Sequence, residues 1–95
     1  MSIQVLDCTL RDGGYINDWR FGRKTIVSIL DKLEQANIDI IECGFLTRMV
    51  KEKDCSLFNS VSDLESVLPK RERSSMYVAM IALVEVLHGA LLPFA

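Results

Sequence analysis

Three mostly apolar runs, residues 3–6, 38–45 and 76–81, alternate with segments whose apolar residues recur at helical spacing. Runs that stay apolar instead of alternating with polar residues predict strands covered on both faces, as in parallel sheets. A parallel strand pair needs a crossover connection, which is usually a helix. The pattern therefore predicts an α/β fold with the element order β-α-β-α-β.

The most regular helical pattern covers residues 23–36, with apolar side chains at positions 26, 29, 30 and 33 and polar ones, including Glu34, on the other face. Asn37 suits the left-handed residue that follows a helix. A second helix is predicted over residues 61–68, with Ser60 or Ser62 as its N-cap. The connection between strand 38–45 and this helix is predicted to be a polar loop.

Composition limits the class of protein. The 95 residues suffice for one small domain, and the net charge of −2 gives no general attraction to nucleic acid. Three cysteines without a C-x-x-C pair predict reduced thiols in a cytoplasmic protein, since no signal-peptide pattern is visible. Cys8 lies next to the end of the first predicted strand and Cys43 within the second, and both are interpreted as small core residues.

The C-terminal residues 76–95 are apolar enough to raise the question of a membrane span. Glu85 and His88 interrupt this stretch, and charges inside a membrane are costly. A buried strand followed by an apolar helix over residues 82–92 is therefore the favoured interpretation, with no membrane partner. A membrane-associated protein remains an alternative.

Candidate chemistry is concentrated at the end of the first strand, where Arg11 and Asp12 precede the pair Gly13-Gly14. Ligands of α/β proteins bind at the carboxyl ends of parallel strands, and a glycine loop there would bring both side chains to one site. Glu42, within the second apolar run, either points to solvent from an edge strand or faces the same site. The pattern leaves these two alternatives open.

The residue types suggest metal-assisted chemistry. Asp12 offers a hard oxygen ligand for Mg²⁺ or Mn²⁺, and Arg11 offers a fixed cationic fork for a carboxylate or an enolate oxygen. A bound cation would act as a Lewis acid on a small-molecule oxo-acid. The alternative is an Arg-Asp pair that only stabilises a turn.

The sequence Asp7-Cys8-Thr9-Leu10-Arg11-Asp12-Gly13 resembles the first-strand motif of the DRE-TIM metallolyases, the superfamily of pyruvate aldolases and HMG-CoA lyase. Ile41-Glu42-Cys43-Gly44-Phe45 is similar to the second-strand motif of the same superfamily. The resemblance covers residues 3–81 and is strongest to 4-hydroxy-2-oxovalerate aldolases.

This resemblance implies the N-terminal portion of a TIM (β/α)8 barrel and a divalent-metal-dependent carbon–carbon lyase. Such an aldolase acts on a 4-hydroxy-2-oxo acid through a pyruvate enolate. By position, Asp12 would bind the metal, Arg11 would stabilise the enolate, and Glu42 would support the site. Tyr15 stands where relatives carry an acid/base His, or Gln, and would donate a hydrogen bond.

The chain also departs from the family. A TIM barrel needs about 250 residues, and the family's His-x-His metal motif has no counterpart, because His88 is the one histidine. Residues 1–81 are thus expected to be a partial barrel domain, and residues 82–95 an apolar tail that does not match. A truncated, weakly active or inactive form is expected. The alternative is a non-catalytic interaction module that forms homo-oligomers through an exposed sheet edge.

Overall fold

The computed structural model describes residues 3–48 and 54–81. In chain order, the elements are β1 (Leu6–Asp7), α1 (Thr9–Asp12), a 3-10 turn (Gly13–Tyr15), α2 (Arg23–Gln35), β2 (Ile40–Leu46), β3 (Leu57–Phe58), α3 (Val61–Glu65) and β4 (Met76–Ile81). All strand pairs are parallel. The predicted α/β class with a parallel sheet is therefore confirmed.

Strand β2 is the centre of the sheet. It pairs with β1 at Ile40 and Ile41, with β3 at Phe45 and Leu46, and with β4 along most of its length. A strand has two edges. Strands β1 and β3 therefore pair one after the other along one edge of β2, and β4 pairs along its other edge. The two-residue β3 lies within the predicted polar loop, and that part of the prediction is wrong.

The core lies between one face of the sheet and the helices. Helix α1 contributes Leu10, and helix α2 contributes Ile26 and Leu30. The remaining buried members come from β2, β3, α3 and the two residues before Pro69: Ile41, Cys43, Phe58, Leu64, Val67 and Leu68. Tyr77 and Ala79 of β4 pack against this cluster, so Met76, Val78 and Met80 point to the opposite face.

That opposite face is open. The paired residues Leu6, Ile40 and Met76 form one row across it, and Glu42 and Val78 form the next. Leu6 and Met76 remain 52% and 61% exposed, so the described elements leave much of this face uncovered. The prediction that residues 3–6 form a buried strand is wrong, because Ile3 and Val5 are exposed and β1 is only two residues long.

The helices predicted over residues 23–36 and 61–68 are confirmed with shifted ends. Helix α2 ends at Gln35, and Asn37 adopts the predicted left-handed conformation with φ 61°. Ser60 is the N-cap of α3, where its hydroxyl oxygen accepts a hydrogen bond from the Asp63 N–H at 3.1 Å. Helix α3 ends at Glu65, earlier than the predicted residue 68.

Glu34 lies in the interior, contrary to its predicted position on the polar face of α2. Its carboxylate accepts hydrogen bonds from the Tyr77 hydroxyl, from the Ser74 N–H and hydroxyl, and from the Ser75 N–H. Burial alone would raise the pKa of Glu34, but these bonds lower it to about 2. The network ties the end of α2 to the start of β4.

Within the described residues, no helix has the length and apolar character needed to cross a membrane. The predicted helix over residues 82–92 and the tail over residues 82–95 lie outside the described part of the chain.

Candidate functional site at the end of β1

The segment after β1 forms a helical turn instead of the predicted glycine loop. The Asp7 carboxylate accepts hydrogen bonds from the Thr9 N–H at 3.1 Å and from the Thr9 hydroxyl at 2.9 Å. The Cys8 carbonyl then accepts the N–H groups of Arg11 and Asp12 at 3.1 and 2.8 Å. Arg11 and Asp12 are therefore neighbours on α1, and Gly13 has a helical φ of −66°.

Arg11 and Glu42 form the centre of the site. The Arg11 Nε donates to Glu42 Oε2 at 2.8 Å, and Arg11 Nη1 lies 3.5 Å from Asp12 Oδ1. The side chains of Arg11, Glu42 and Asp12 are 22%, 10% and 60% exposed, respectively. The hydrogen bond that Arg11 donates to Glu42 is the main reason that the pKa of Arg11 is raised. Of the two alternatives for Glu42, the structure favours the one that faces Arg11.

The second oxygen of Glu42 is unusual. Oε1 is buried and has no hydrogen-bond partner among the described residues. Leaving a buried carboxylate oxygen without a donor is costly, so a water molecule, an ion or another donor is expected to complete its hydrogen bonding. One oxygen of Glu42 therefore holds Arg11, and the other is available to a donor or cation.

Cys8 borders the same site and is partly exposed, so its prediction as a core residue is wrong. Its Sγ lies 3.8 Å from Asp12 Oδ2. Desolvation, followed by the nearby Asp12 carboxylate, raises the pKa of the Cys8 thiol, which disfavours the nucleophilic thiolate. Cys43 is buried as predicted, and its burial raises the pKa to about 12.

The described residues provide only part of the ligand set that the expected divalent metal would need. The exposed Asp12 carboxylate and the unpaired Glu42 Oε1 are both hard oxygen donors, which suits Mg²⁺ or Mn²⁺. However, within residues 3–48 and 54–81, no three histidine, cysteine, aspartate or glutamate side chains come together as a metal-binding group. The described residues therefore supply oxygen donors for the ion but not a complete set of ligands.

Two further side chains hold α1 in place. The Trp19 indole N–H donates to the Arg11 carbonyl at 2.7 Å, and the Ser56 hydroxyl donates to the Leu10 carbonyl at 2.7 Å. Trp19 and Ser56 lie outside both strand motifs, and neither was predicted to contribute to the site. Tyr15 is exposed, and its ring lies 4.8 Å from that of Trp19.

Comparisons of the chain with protein-family models, with curated proteins and with solved structures give no match.

Proposed function

We propose that residues 3–81 form the N-terminal portion of a (β/α)8 barrel of the metal-dependent aldolase type. Its reaction would be carbon–carbon bond cleavage in a 4-hydroxy-2-oxo acid through a pyruvate enolate. The proposal combines the resemblance of the two strand motifs with the geometry at the end of β1.

The sheet topology supports the barrel. Strands β1, β2 and β4 are neighbours in the order of the chain, and the core helices pack on one face of the sheet. A doubly wound sheet would instead carry helices on both faces, with a reversal of strand order. A barrel keeps its helices outside and turns the other strand face inward. The open face with Leu6, Ile40, Glu42, Met76 and Val78 matches that inner face.

The single observation that carries the functional proposal is the contact of 2.8 Å between Arg11 Nε and Glu42 Oε2. The two residues lie 31 positions apart, one in each motif. Glu42 accepts the N–H of Nε, and Nη1 lies 3.5 Å from Asp12 Oδ1. A guanidinium has five N–H donors, so the terminal N–H groups that these two contacts do not use could bind a carboxylate or an enolate oxygen.

The chain's own residues have separable roles in this proposal. Glu42 orients Arg11, and Arg11 binds the negative oxygen of the substrate. Asp12 supplies one oxygen ligand to a divalent ion, which provides Lewis-acid chemistry when bound. Tyr15 is exposed near the same turn and offers a phenolic hydroxyl as a hydrogen-bond donor.

Deuterium exchange at the methyl group of pyruvate, followed by proton NMR in the presence of Mn²⁺, tests the proposal. Slow exchange above the buffer rate is expected for the 95-residue chain, together with binding of Mn²⁺. Arg11→Gln should remove the exchange, and Asp12→Asn should weaken Mn²⁺ binding. The matched controls Arg71→Gln and Asp31→Asn, which break the surface ion pair of 3.0 Å, should change neither. Exchange at the buffer rate together with unchanged Mn²⁺ binding in Asp12→Asn would contradict the proposal.

A second candidate function is a non-catalytic interaction module. Its support is the open sheet face and the outer edge of β4, which has no neighbour among the described strands. Self-association that is independent of Mn²⁺, in a chain that shows no pyruvate exchange, would favour this alternative.

A further inference from the structure

We propose that Trp19 is the positioning residue for Arg11, and that its indole fixes the guanidinium for binding the carboxylate of an oxo-acid. This inference rests on the proposed function, because it takes Arg11 as the group that binds the anion. Neither strand motif contains Trp19.

The hydrogen bond from the Trp19 indole is made to the backbone of the residue that it positions. Its N–H donates to the Arg11 carbonyl at 2.7 Å. Helix α1 is one turn long, and the Arg11 carbonyl also accepts a backbone N–H at the C-terminal end of this helix. The indole adds a hydrogen bond from outside the helix to the main chain from which the Arg11 side chain extends to Glu42.

Ring contacts and backbone hydrogen bonds both hold Trp19 in place. Its ring makes edge-to-face contacts with Tyr15 and Phe45, with centroids 4.8 and 5.5 Å away. The backbone N–H of Trp19 donates to the Gly14 carbonyl at 2.9 Å, and the backbone N–H of Ser56 donates to the Trp19 carbonyl at 2.8 Å, so the main chain at Trp19 is fixed as well. Phe45 is on β2, so the indole packs against the strand that also carries Glu42.

The backbone at this point is strained, which shows that the surroundings dictate the position of the ring. Asp18 and Trp19 both adopt left-handed conformations, with φ of 55° and 61°. Such residues persist when neighbouring contacts over-determine them, and they concentrate at functional sites.

Gly14 leaves the space that the same indole occupies. A Cβ atom at this position would lie 1.8 Å from Trp19 Cδ1, whereas one at Gly13 would have its nearest neighbour at 3.8 Å. The second glycine of the pair is thus required by the approach of the ring. It is not required for a turn, which corrects the sequence interpretation of the glycine pair.

The test uses the fact that the chain has one tryptophan. In the 15N-labelled full chain, the single indole N–H signal reports on the bond to Arg11. Titration with pyruvate should shift this signal, and Arg11→Gln should abolish the shift. Trp19→Phe keeps an aromatic ring but loses the donor, and it should weaken pyruvate binding about five- to tenfold, followed through the backbone amide signal of Gly13.

A matched control is Tyr77→Phe, which also removes one hydrogen-bond donor from an aromatic side chain, at Glu34 instead of Arg11. It should leave pyruvate affinity within twofold of the wild type, so a general loss of stability is distinguished from loss of positioning. If Trp19→Phe does not fold, 3-benzothienylalanine at position 19 keeps the ring size and removes only the N–H.

The outcomes separate the two proposals. Pyruvate binding that depends on Arg11 but is unchanged without the indole N–H would overturn the positioning role and leave the proposed function intact. Binding that is unchanged in Arg11→Gln, or no binding by the wild type, would overturn both.

Discussion

Glu34 and Glu42 are both buried carboxylates, but their hydrogen bonding differs. Glu34 accepts four hydrogen bonds and joins α2 to β4. Glu42 has one oxygen bound to Arg11 and one buried oxygen without a partner among the described residues. A fully satisfied carboxylate stabilises a fold, whereas a buried carboxylate oxygen without a donor calls for a further partner such as a water molecule or an ion. At the scale of single residues, this difference makes Glu42, and not Glu34, the candidate for a functional site.

Glu34 makes the free energy of unfolding depend on pH in the acid range. Because the pKa of Glu34 in the folded chain is about 2, against 4.5 for the unperturbed group, its contribution is complete above pH 4.5. That contribution is lost as the pH falls from 4.5 towards 2. Urea unfolding curves at several pH values should show a fall in the wild type that is shallower in Glu34→Gln. At pH 7, the variant should be less stable by roughly 2 kcal/mol.

Glu72→Gln is the control for this prediction, because Glu72 is an exposed glutamate outside the network. Its curve should follow that of the wild type at pH 7. Identical slopes for the wild type and Glu34→Gln between pH 4.5 and 2 would show that Glu34 is not the responsible group.

At the scale of elements, a bulge in β2 determines how the strand carries the site. Between the pairs Glu42–Val78 and Phe45–Met80, β2 has two residues and β4 has one. Gly44 lies in this bulge with φ 135°, and the Ser56 carbonyl oxygen lies 2.0 Å from the position that a Cβ would take. The bulge allows Glu42 to face Arg11 and Phe45 to contact Trp19 within one strand.

Gly44→Ala should therefore destabilise the protein by about 3 kcal/mol or more, since both the positive φ and the contact with backbone atoms oppose a side chain. The measurement is the midpoint of urea unfolding at pH 7. Gly13→Ala is the matched control, because Gly13 has helical dihedral angles and space for a methyl group. Equal effects of the two substitutions would refute this role of the bulge.

Elements that are fixed by interactions between residues close in sequence were predicted correctly, whereas an element that depends on distant residues was not. Helix α2 and the conformation of Asn37 are set by local periodicity and capping, and both were predicted. Strand β3 is only two residues long and forms because Leu57 and Phe58 pair with β2. No local pattern encodes such a pairing.

At the scale of the whole molecule, the main feature is the sheet face that the described elements leave open. Parallel sheets are normally covered on both faces, yet Leu6 and Met76 remain exposed on this one. We predict that the chain self-associates through this face and that Met76→Lys shifts the equilibrium towards the monomer by about tenfold, since a buried lysine would lack a partner. Sedimentation velocity over a range of concentrations measures the shift.

Val61→Lys is the control for the open face, because Val61 is similarly exposed but lies on α3. It should leave the association unchanged. Equal effects of Met76→Lys and Val61→Lys would place the contact elsewhere.

The sequence by itself determined the α/β class, the parallel strands, the main helix and the pair Arg11 and Asp12 as candidates for chemistry. These follow from hydrophobic period and residue type, which act over a few neighbouring positions. Tertiary structure decided that Glu42 faces Arg11, that Glu34 is buried, and that Trp19 and Ser56 hold α1. Each of these depends on contacts between residues far apart in the chain or on a side chain's direction, and no local pattern specifies either.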